Sequence, residues 1–121
     1  MIRGVVAKNR PLVPVTIAWT QGVQDHISLI DTGFTGELKM SEEKAKEIGL
    51  KVTHTQPVTL ADSSIRVMSA SIALVSLEGV TNLVNVLISP GDTIIGVGLL
   101  KKFQYLLNID FKFNQLSLQK L

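Results

Sequence analysis

Apolar and polar residues alternate along most of the chain, and this period of two is typical of β-strands with one buried face. The clearest case is the segment in which Val13, Val15, Ile17 and Trp19 alternate with polar or small residues. Clusters of Gly, Pro, Asn, Asp and Ser interrupt the pattern and predict turns. We predict about nine strands, at residues 1–8, 13–20, 52–60, 65–75, 83–88, 94–96, 105–113 and 115–119 and in the segment that leads to Asp31.

Only two segments carry helical signals. Residues 41–49 begin with Ser41, a good N-cap, and continue with Glu42 and Glu43, whose charges complement the helix dipole. Gly49 is a typical helix stop. Residues 97–103 form the second predicted helix, so the predicted fold class is mainly β with one or two short helices.

The positions of the prolines and the parity of the residues, that is, which alternate side chains share a face of a strand, predict where one strand begins and which side chains point inward. Pro11 and Pro14 place the start of their strand at a sheet edge or a turn, because proline cannot donate a hydrogen bond to a neighbouring strand. Parity predicts inward side chains at Met68, Ala70, Ile72 and Leu74, then at Leu107, Ile109, Phe111 and Phe113, and finally at Leu116 and Leu118.

One acidic residue, Asp31, ends an apolar strand at a Thr-Gly turn, within the segment ISLIDTGFTG at 27–36. Asp31 is in step with Ile27 and Leu29, so a regular strand would place its carboxylate on the apolar side. An unpaired buried charge is costly, so an acid there should have a partner or a task. The alternative is a loop acid that turns out to solvent.

Composition restricts the classes of protein that fit. The chain has 121 residues, which suits a single domain spanning 1–121, and 45% of them are hydrophobic. The net charge of +2 is scattered, and one Tyr and one Trp offer no stacking platform, which argues against a nucleic-acid partner. The sequence has no cysteine, no secretory signal and no apolar stretch of membrane length. We therefore expect no disulfide, no membrane partner and a cytoplasmic location.

Few other groups suit catalysis. His26 and His54 lack partners at metal-ligand spacing, and each is expected to be a surface or hydrogen-bonded strand residue. No serine lies in a Gly-x-Ser-x-Gly elbow, and no phosphate-binding loop is present. Lys101 and Lys102, the only adjacent bases, are expected at the solvated end of a helix.

Asp31 leaves two kinds of chemistry open. A phosphoryl-accepting aspartate usually needs magnesium held by further acids, and the next acids are Glu37, Glu42 and Glu43, two of which begin a helix. The other option is a pair of aspartates, because two carboxylates about 3 Å apart share one proton and supply both an acid and a base. A two-fold symmetric homodimer would bring Asp31 together with its symmetry mate.

The segment Leu29-Ile30-Asp31-Thr32-Gly33 resembles the active-site motif of retropepsin-like aspartic proteases, in particular prokaryotic-type members with Asp-Thr-Gly-Phe-Thr-Gly. Later in the chain, Ile94-Ile95-Gly96 is similar to the family's element of two apolar residues and a glycine that leads into a helix. The resemblance spans residues 10–119. It implies a closed, orthogonal β-barrel of the acid-protease type with a flap hairpin. It also implies an aspartic endopeptidase that acts as a homodimer on peptide or protein substrates, without metal or cofactor.

The same resemblance implies roles for individual residues. Asp31 would be the catalytic carboxylate of each subunit, Thr32 would hydrogen-bond across the dimer axis, and Gly33 would allow close backbone approach. The remaining residues fall into two groups. Substrate would contact Phe34, Thr35, Gly36, Ala61, Asp62, Ser63 and Ser64, whereas Ile94, Ile95 and Gly96 would support the active-site loop.

Two departures from the family pattern leave alternatives open. The predicted hairpin tip has no glycine, although family flaps are often glycine-rich there, so it could be an ordinary surface hairpin. Phe34 stands where two-domain pepsin-like enzymes usually have a serine that hydrogen-bonds the aspartate. The fold could instead serve as a dimerisation or peptide-binding module with little hydrolysis. The terminal strands either interleave with a partner, as in retropepsins, or close as a hairpin within one subunit.

Overall fold

The structure is a computed structural model that describes residues 1–60 and 62–121. The described residues form ten strands and two short helices, and the predicted mainly β class is thereby confirmed. The elements are β1 (Ile2–Ala7), β2 (Arg10–Trp19), β3 (Gly22–Ile30), β4 (Leu38–Met40), α1 (Glu42–Glu47), β5 (His54–Thr59), β6 (Ile65–Leu77), β7 (Val80–Ile88), β8 (Ile94–Ile95), α2 (Val97–Phe103), β9 (Tyr105–Asp110) and β10 (Gln115–Lys120).

The ten strands hydrogen-bond into one sheet, in the order β5-β6-β7-β4-β8-β3-β2-β1-β10-β9. β6 also pairs with β2, which places Ile17 opposite Val75, so the sheet bends back and partly closes into a ring. Parallel pairings join β3 to β8 and β4 to β7. This arrangement matches the acid-protease type of barrel that the resemblance implies.

The hydrophobic core consists of the inner faces of the strands together with the buried sides of both helices. Fully burying a side chain of this kind stabilises the fold by about 1.5–3 kcal/mol relative to leaving it exposed. The largest fully buried side chains are Phe103, Ile17, Leu38, Met40, Ile48, Ile95, Leu99 and Leu118.

Both helices lie where the sequence predicts them. The Ser41 side chain caps α1 by accepting a hydrogen bond from the Lys44 backbone N–H at 3.3 Å, and Gly49 beyond the helix has a φ of +81°. α1 is shorter than the predicted 41–49 because its two ends are cap residues. α2 ends at Gln104, whose left-handed conformation stops the helix.

β2 begins directly after a turn at residues 8–9, so the prediction that its prolines place its start at an edge or a turn is correct for the turn, whereas the strand itself is interior to the sheet. Pro11 lies opposite Val6 of β1. β1 pairs with β2 only as far as Leu12, however, and β6 pairs with β2 only from Thr16 onwards. Among the described strands, Pro14 therefore lies at a local gap, where a missing N–H costs nothing.

The predicted inward face of β6 is correct only in its first part. Ala70 is buried, but Ile72 and Leu74 lie on the outer face, because Ser71 and Ala73 take the inner one. The buried parity changes where β6 stops pairing with β5, since Ala70 is the last residue opposite that strand. Beyond this point β6 leaves the β5–β6 hairpin and joins the ring.

The chain ends in a hairpin that closes within the chain, which is the second of the two terminal arrangements considered. β9 pairs with β10, and β10 pairs with β1. Leu116 and Leu118 are buried as predicted. Phe111 and Phe113 are exposed, contrary to prediction, because the Asp110 carboxylate accepts the Phe113 backbone N–H at 3.1 Å and the chain turns directly after β9.

Candidate functional site

Asp31 follows the last residue of β3 and begins a tight loop. Its backbone N–H donates to the Ile95 carbonyl at 3.0 Å, and its own carbonyl accepts from the Phe34 N–H at 3.1 Å. The Gly33 N–H donates to the Asp31 Oδ1 at 2.8 Å. A Cβ at position 33 would lie 3.1 Å from the same oxygen, so glycine leaves the carboxylate room to accept this bond. Backbone and side chain of Asp31 are both held in place.

The face on which Asp31 lies differs from the predicted one. The buried side of β3 carries His26, Ser28 and Ile30, whereas Ile27 on the other side is 68% exposed. Asp31 therefore points to the outer face, half-buried, and the alternative of a loop acid near solvent is the more accurate description. The predicted face is wrong because the inward side of this strand is the more polar one.

Hydrogen bonds explain how polar side chains occupy the inner face of β3. The His26 Nδ1 lies 2.6 Å from the Thr93 hydroxyl, and its Nε2 lies 2.7 Å from the Gln24 side-chain oxygen. The Ser28 hydroxyl donates to the Val13 carbonyl at 2.9 Å. Burial lowers the pKa of His26 below its ordinary value, and the nearby Lys44 charge acts in the same direction. His26 is thus a hydrogen-bonded strand residue, one of the two possibilities expected.

The loop after Asp31 is bonded to the start of α2. The backbone N–H groups of Gly96, Val97 and Gly98 donate to the carbonyls of Glu37, Phe34 and Gly36 at 3.1, 2.9 and 3.0 Å, respectively. These donors belong to the first turn of a helix, where N–H groups lack partners within the helix. The loop carbonyls therefore accept hydrogen bonds from the N–H groups at the start of the helix, and these bonds in turn hold the loop in place.

Close approach between the two segments depends on Gly96. A Cβ there would collide with the Gly36 carbonyl oxygen and would lie 2.5 Å from that of Phe34. Ile95 is buried and pairs with Ile30 on one side and with Leu38 on the other. The structure thus brings the predicted support residues, Ile94 to Gly96, directly against the loop that begins at Asp31.

An ion pair near this loop was missed by sequence reasoning. The Glu37 side chain is only 16% exposed, and its Oε2 lies 2.9 Å from the Lys102 Nζ. Its Oε1 accepts the Asn85 backbone N–H at 2.7 Å, and the Lys102 Nζ also donates to the Leu83 carbonyl at 2.9 Å. Lys102 is therefore not simply a solvated helix end, as predicted, but joins α2 to β7 and to Glu37, the residue before β4. No spacing rule connects residues so far apart in sequence.

The hairpin tip is stabilised mainly by its own hydrogen bonds. The Leu60 N–H donates to the Ser64 carbonyl at 2.8 Å, and the Asp62 Oδ1 accepts from the Ser64 N–H at 3.0 Å. Hydrogen bonds from Ser64 hold the pKa of Asp62 below its ordinary value. Ser63 has a φ of +67°, the left-handed conformation that glycine favours. Ala61, also predicted to contact substrate, lies outside the described residues.

The remaining predicted site residues divide by exposure. Thr32, Gly33 and Thr35 are exposed, whereas Phe34 is half-buried with its ring against Gly96.

Within 1–60 and 62–121, no group of three or more His, Cys, Asp or Glu side chains is placed to hold a metal ion. Neither of the two described helices is long and apolar enough to span a membrane.

A comparison with solved structures identifies a protein of the same fold. A retropepsin-like aspartic protease from Rickettsia conorii, known from its crystal structure, has a TM-score of 0.68 with this chain at 15% sequence identity. The match covers 98% of this chain and 88% of that one. At this identity the similarity shows the fold alone, so this chain has the fold of a retropepsin-like aspartic protease. Searches with protein-family models and against curated proteins find no match.

Proposed function

We propose that the chain is one subunit of a homodimeric aspartic endopeptidase. The observation that carries the proposal is the position of Asp31, which directly follows β3, points to the outer face and is held by bonds to Gly33 and Ile95. A two-fold axis beside this loop would bring a second Asp31 close to the first. Thr32, exposed next to it, has a hydroxyl that can donate and accept across such an axis.

The paired carboxylates would share one proton and act as acid and base. The ionised carboxylate takes a proton from a water molecule as its oxygen attacks the peptide carbonyl carbon, and the protonated carboxyl donates to the carbonyl oxygen. The tetrahedral intermediate then breaks its C–N bond as the nitrogen accepts the proton that the first carboxyl took from water, while the second carboxylate recovers its proton from a hydroxyl of the intermediate. The products are a carboxylic acid and an amine, and no covalent enzyme intermediate forms.

The substrate would lie in extended form along the outer face, with the β5–β6 hairpin closing over it. Next to Asp31 this face carries Leu29 and Ile94, which are half-buried and lie opposite each other in the parallel β3–β8 pair. These side chains favour a hydrophobic residue beside the bond that is cleaved. The exposed Thr35 and the hairpin residues Asp62 to Ser64 would contact the substrate main chain.

The Asp31→Asn variant tests this proposal directly. Wild-type protein should cleave a denatured protein mixture, a pepstatin-like inhibitor should block the cleavage, and Asp31→Asn should lower the rate by about 10³-fold or more. Asp25→Asn is the matched control, because Asp25 lies on the same strand and is an exposed acid bonded to Thr16. Sedimentation should show a dimer for all three proteins.

Two results would contradict the proposal. The first is undiminished cleavage by Asp31→Asn, which would locate the activity elsewhere or in a contaminant. The second is a strict monomer at micromolar concentration across pH, because one Asp31 alone offers no dyad. Peptide binding by the wild type without any hydrolysis would favour the binding-module alternative.

A further inference from the structure

An ion pair crosses the face of the sheet on which Asp31 lies. Arg10 begins β2, Asp92 precedes β8, and these two strands flank β3 on opposite sides. The Arg10 Nη2 lies 2.6 Å from the Asp92 Oδ2. Because β3 separates the two strands, the paired side chains must extend over β3 to reach each other.

The register shows that the pair lies on the outer face. Val13 is buried, so its even-numbered neighbours on β2 face outward, and Leu12 lies opposite Leu29. Arg10 is two residues before Leu12 and Asp31 is two residues after Leu29, so both lie at the end of β3 where its pairing with β2 begins. The ion pair and the candidate catalytic carboxylate therefore share one surface.

The surface beneath the pair is apolar. Leu29 and Ile94 are half-buried and Ile27 is exposed on this side of β3, so the aliphatic part of Arg10 has apolar side chains to cover. A second cation adjoins the pair, because the Lys39 Nζ donates to the Asp92 backbone carbonyl at 2.8 Å. The Asp92 carboxylate is therefore paired with the Arg10 guanidinium and has a second cation, Lys39, bonded to the backbone of the same residue, beside apolar side chains.

We infer that the Arg10–Asp92 ion pair determines the charge selectivity of this surface, so that with the pair intact an uncharged apolar side chain is preferred next to Asp31. The inference rests on the proposed function and specifies its substrate. Asp92 compensates the cations that would otherwise attract an acidic side chain, and Arg10 compensates the carboxylate that would otherwise attract a basic one. The two side chains are 45% and 65% exposed, so the pair adds little to stability and both variants should fold.

The test measures selectivity with three peptides that differ only in one residue, Leu, Glu or Lys, next to the cleaved bond. Asp92→Asn should raise the ratio of kcat/KM for the Glu peptide to that for the Leu peptide by about fivefold. Arg10→Gln should raise the Lys-to-Leu ratio by about the same factor. A gain for the Glu peptide in one variant and for the Lys peptide in the other would indicate a charge effect, because general damage to the site would lower kcat/KM for all three peptides together.

Glu42→Gln and Lys46→Gln provide the matched control. These residues form an exposed ion pair on α1 at 3.2 Å, and their substitution changes the charge of the protein by the same amounts. Both ratios should stay unchanged in these variants. Unaltered ratios in Asp92→Asn and Arg10→Gln, with hydrolysis intact, would overturn the inference.

A binding measurement separates this inference from the proposed hydrolysis. The same three peptides, carrying a fluorophore, are titrated with Asp31→Asn alone and with Asp31→Asn combined with either ion-pair substitution. Shifts in the Kd ratios in the same two directions would support the inference even if the wild type cleaves nothing, a result that would defeat only the proposed protease. Equal Kd ratios in all three proteins would reject the ion pair as the determinant of selectivity.

Discussion

The loop that carries Asp31 and the hairpin predicted to close over it are built in opposite ways. The loop exchanges four backbone hydrogen bonds of 2.9 to 3.1 Å with β8 and the start of α2. The glycine between those elements leaves no room for a Cβ. The loop backbone is thus held by a second segment of the chain at Asp31, Phe34, Gly36 and Glu37.

The β5–β6 hairpin has little of this support. Its two strands pair with each other from Thr59 opposite Ile65 to His54 opposite Ala70, and β5 is an edge strand of the described sheet. Ile65 and Val67 are 71% and 67% exposed. The tip therefore depends on its own turn rather than on the core.

The contrast corresponds to two different demands. A group that activates water must be held within a fraction of an ångström of its working position. A segment that admits and covers a substrate must open at low cost, and such segments come from the least stable parts of a fold. The apolar packing of this chain is concentrated behind the loop and is sparse at the hairpin.

The largest effect is expected from Gly96→Ala, because the added methyl group would meet two backbone carbonyls rather than a side chain that can move. Overpacking of this kind costs about 1–3 kcal/mol of the free energy of unfolding. Displacement of the loop by about 1 Å would lower peptide hydrolysis by about 10²-fold. Denaturant unfolding and the cleavage assay measure the two effects.

Gly22→Ala is the matched control, since a Cβ there would lie at an ordinary 3.5 Å from the Ile48 side chain. We expect its stability and its activity to remain close to those of the wild type. If Gly96→Ala were equally neutral, close contact between α2 and the loop would not be what holds Asp31.

A smaller effect is expected from pH, through His26 behind the loop. Thr93 connects His26 to the end of the strand that leads into the loop, because its hydroxyl contacts His26 and its carbonyl accepts the Leu29 N–H at 2.9 Å. Burial, assisted by Lys44, lowers the pKa of His26 from 6.5, so below that pH the unfolded chain takes up the proton more readily than the folded one. Stability should therefore be greatest above pH 6.5 and should decline as the pH falls through and below it.

Urea unfolding of the wild type at several pH values on both sides of 6.5 measures this decline. His26→Gln should remove the part of the dependence of stability on pH that comes from burial, whereas His54→Gln should retain it, because His54 is exposed and its ring is hydrogen-bonded to the adjacent Thr53. If the free energy of unfolding changed with pH equally in the wild type and in His26→Gln, the buried imidazole would not contribute to the pH dependence of stability.

Much of the fold follows from local sequence signals. Alternation identifies most of the strands, and the Ser41 cap and the Gly49 stop locate α1, because these signals act within a few residues. The association of Asp31 with Ile94 to Gly96 was expected only through the family resemblance. Local patterns alone do not tell which distant segments meet.

The errors have a common physical origin in long-range partners. The inner face of β3 holds His26 and Ser28 because Thr93 and Val13 satisfy them, and these partners are adjacent only in the folded sheet. The Glu37–Lys102 pair likewise joins residues that no periodicity relates. A polar residue whose partners are distant in sequence has the same local signature as one exposed to water.

The smallest effect is expected at the hairpin, where Ser63→Gly is the converse of Gly96→Ala. Ser63 has a φ of +67°, and glycine adopts this conformation without the steric cost of a Cβ. The greater freedom of glycine in the unfolded chain offsets part of the gain, so stability should rise by less than about 1 kcal/mol. Hydrogen exchange at the Leu60 N–H, which closes the turn by bonding to the Ser64 carbonyl, should slow accordingly.

Ser63→Ala separates the backbone effect from loss of the hydroxyl, because alanine keeps the Cβ and removes only the oxygen. We expect Ser63→Ala to leave the exchange rate at the Leu60 N–H unchanged or faster. Equal slowing in the two variants would mean that the left-handed conformation is not the source of the cost. A stability change at Ser63 as large as that of Gly96→Ala would mean that the hairpin is coupled to the core as tightly as the loop, and the contrast between the two regions would no longer hold.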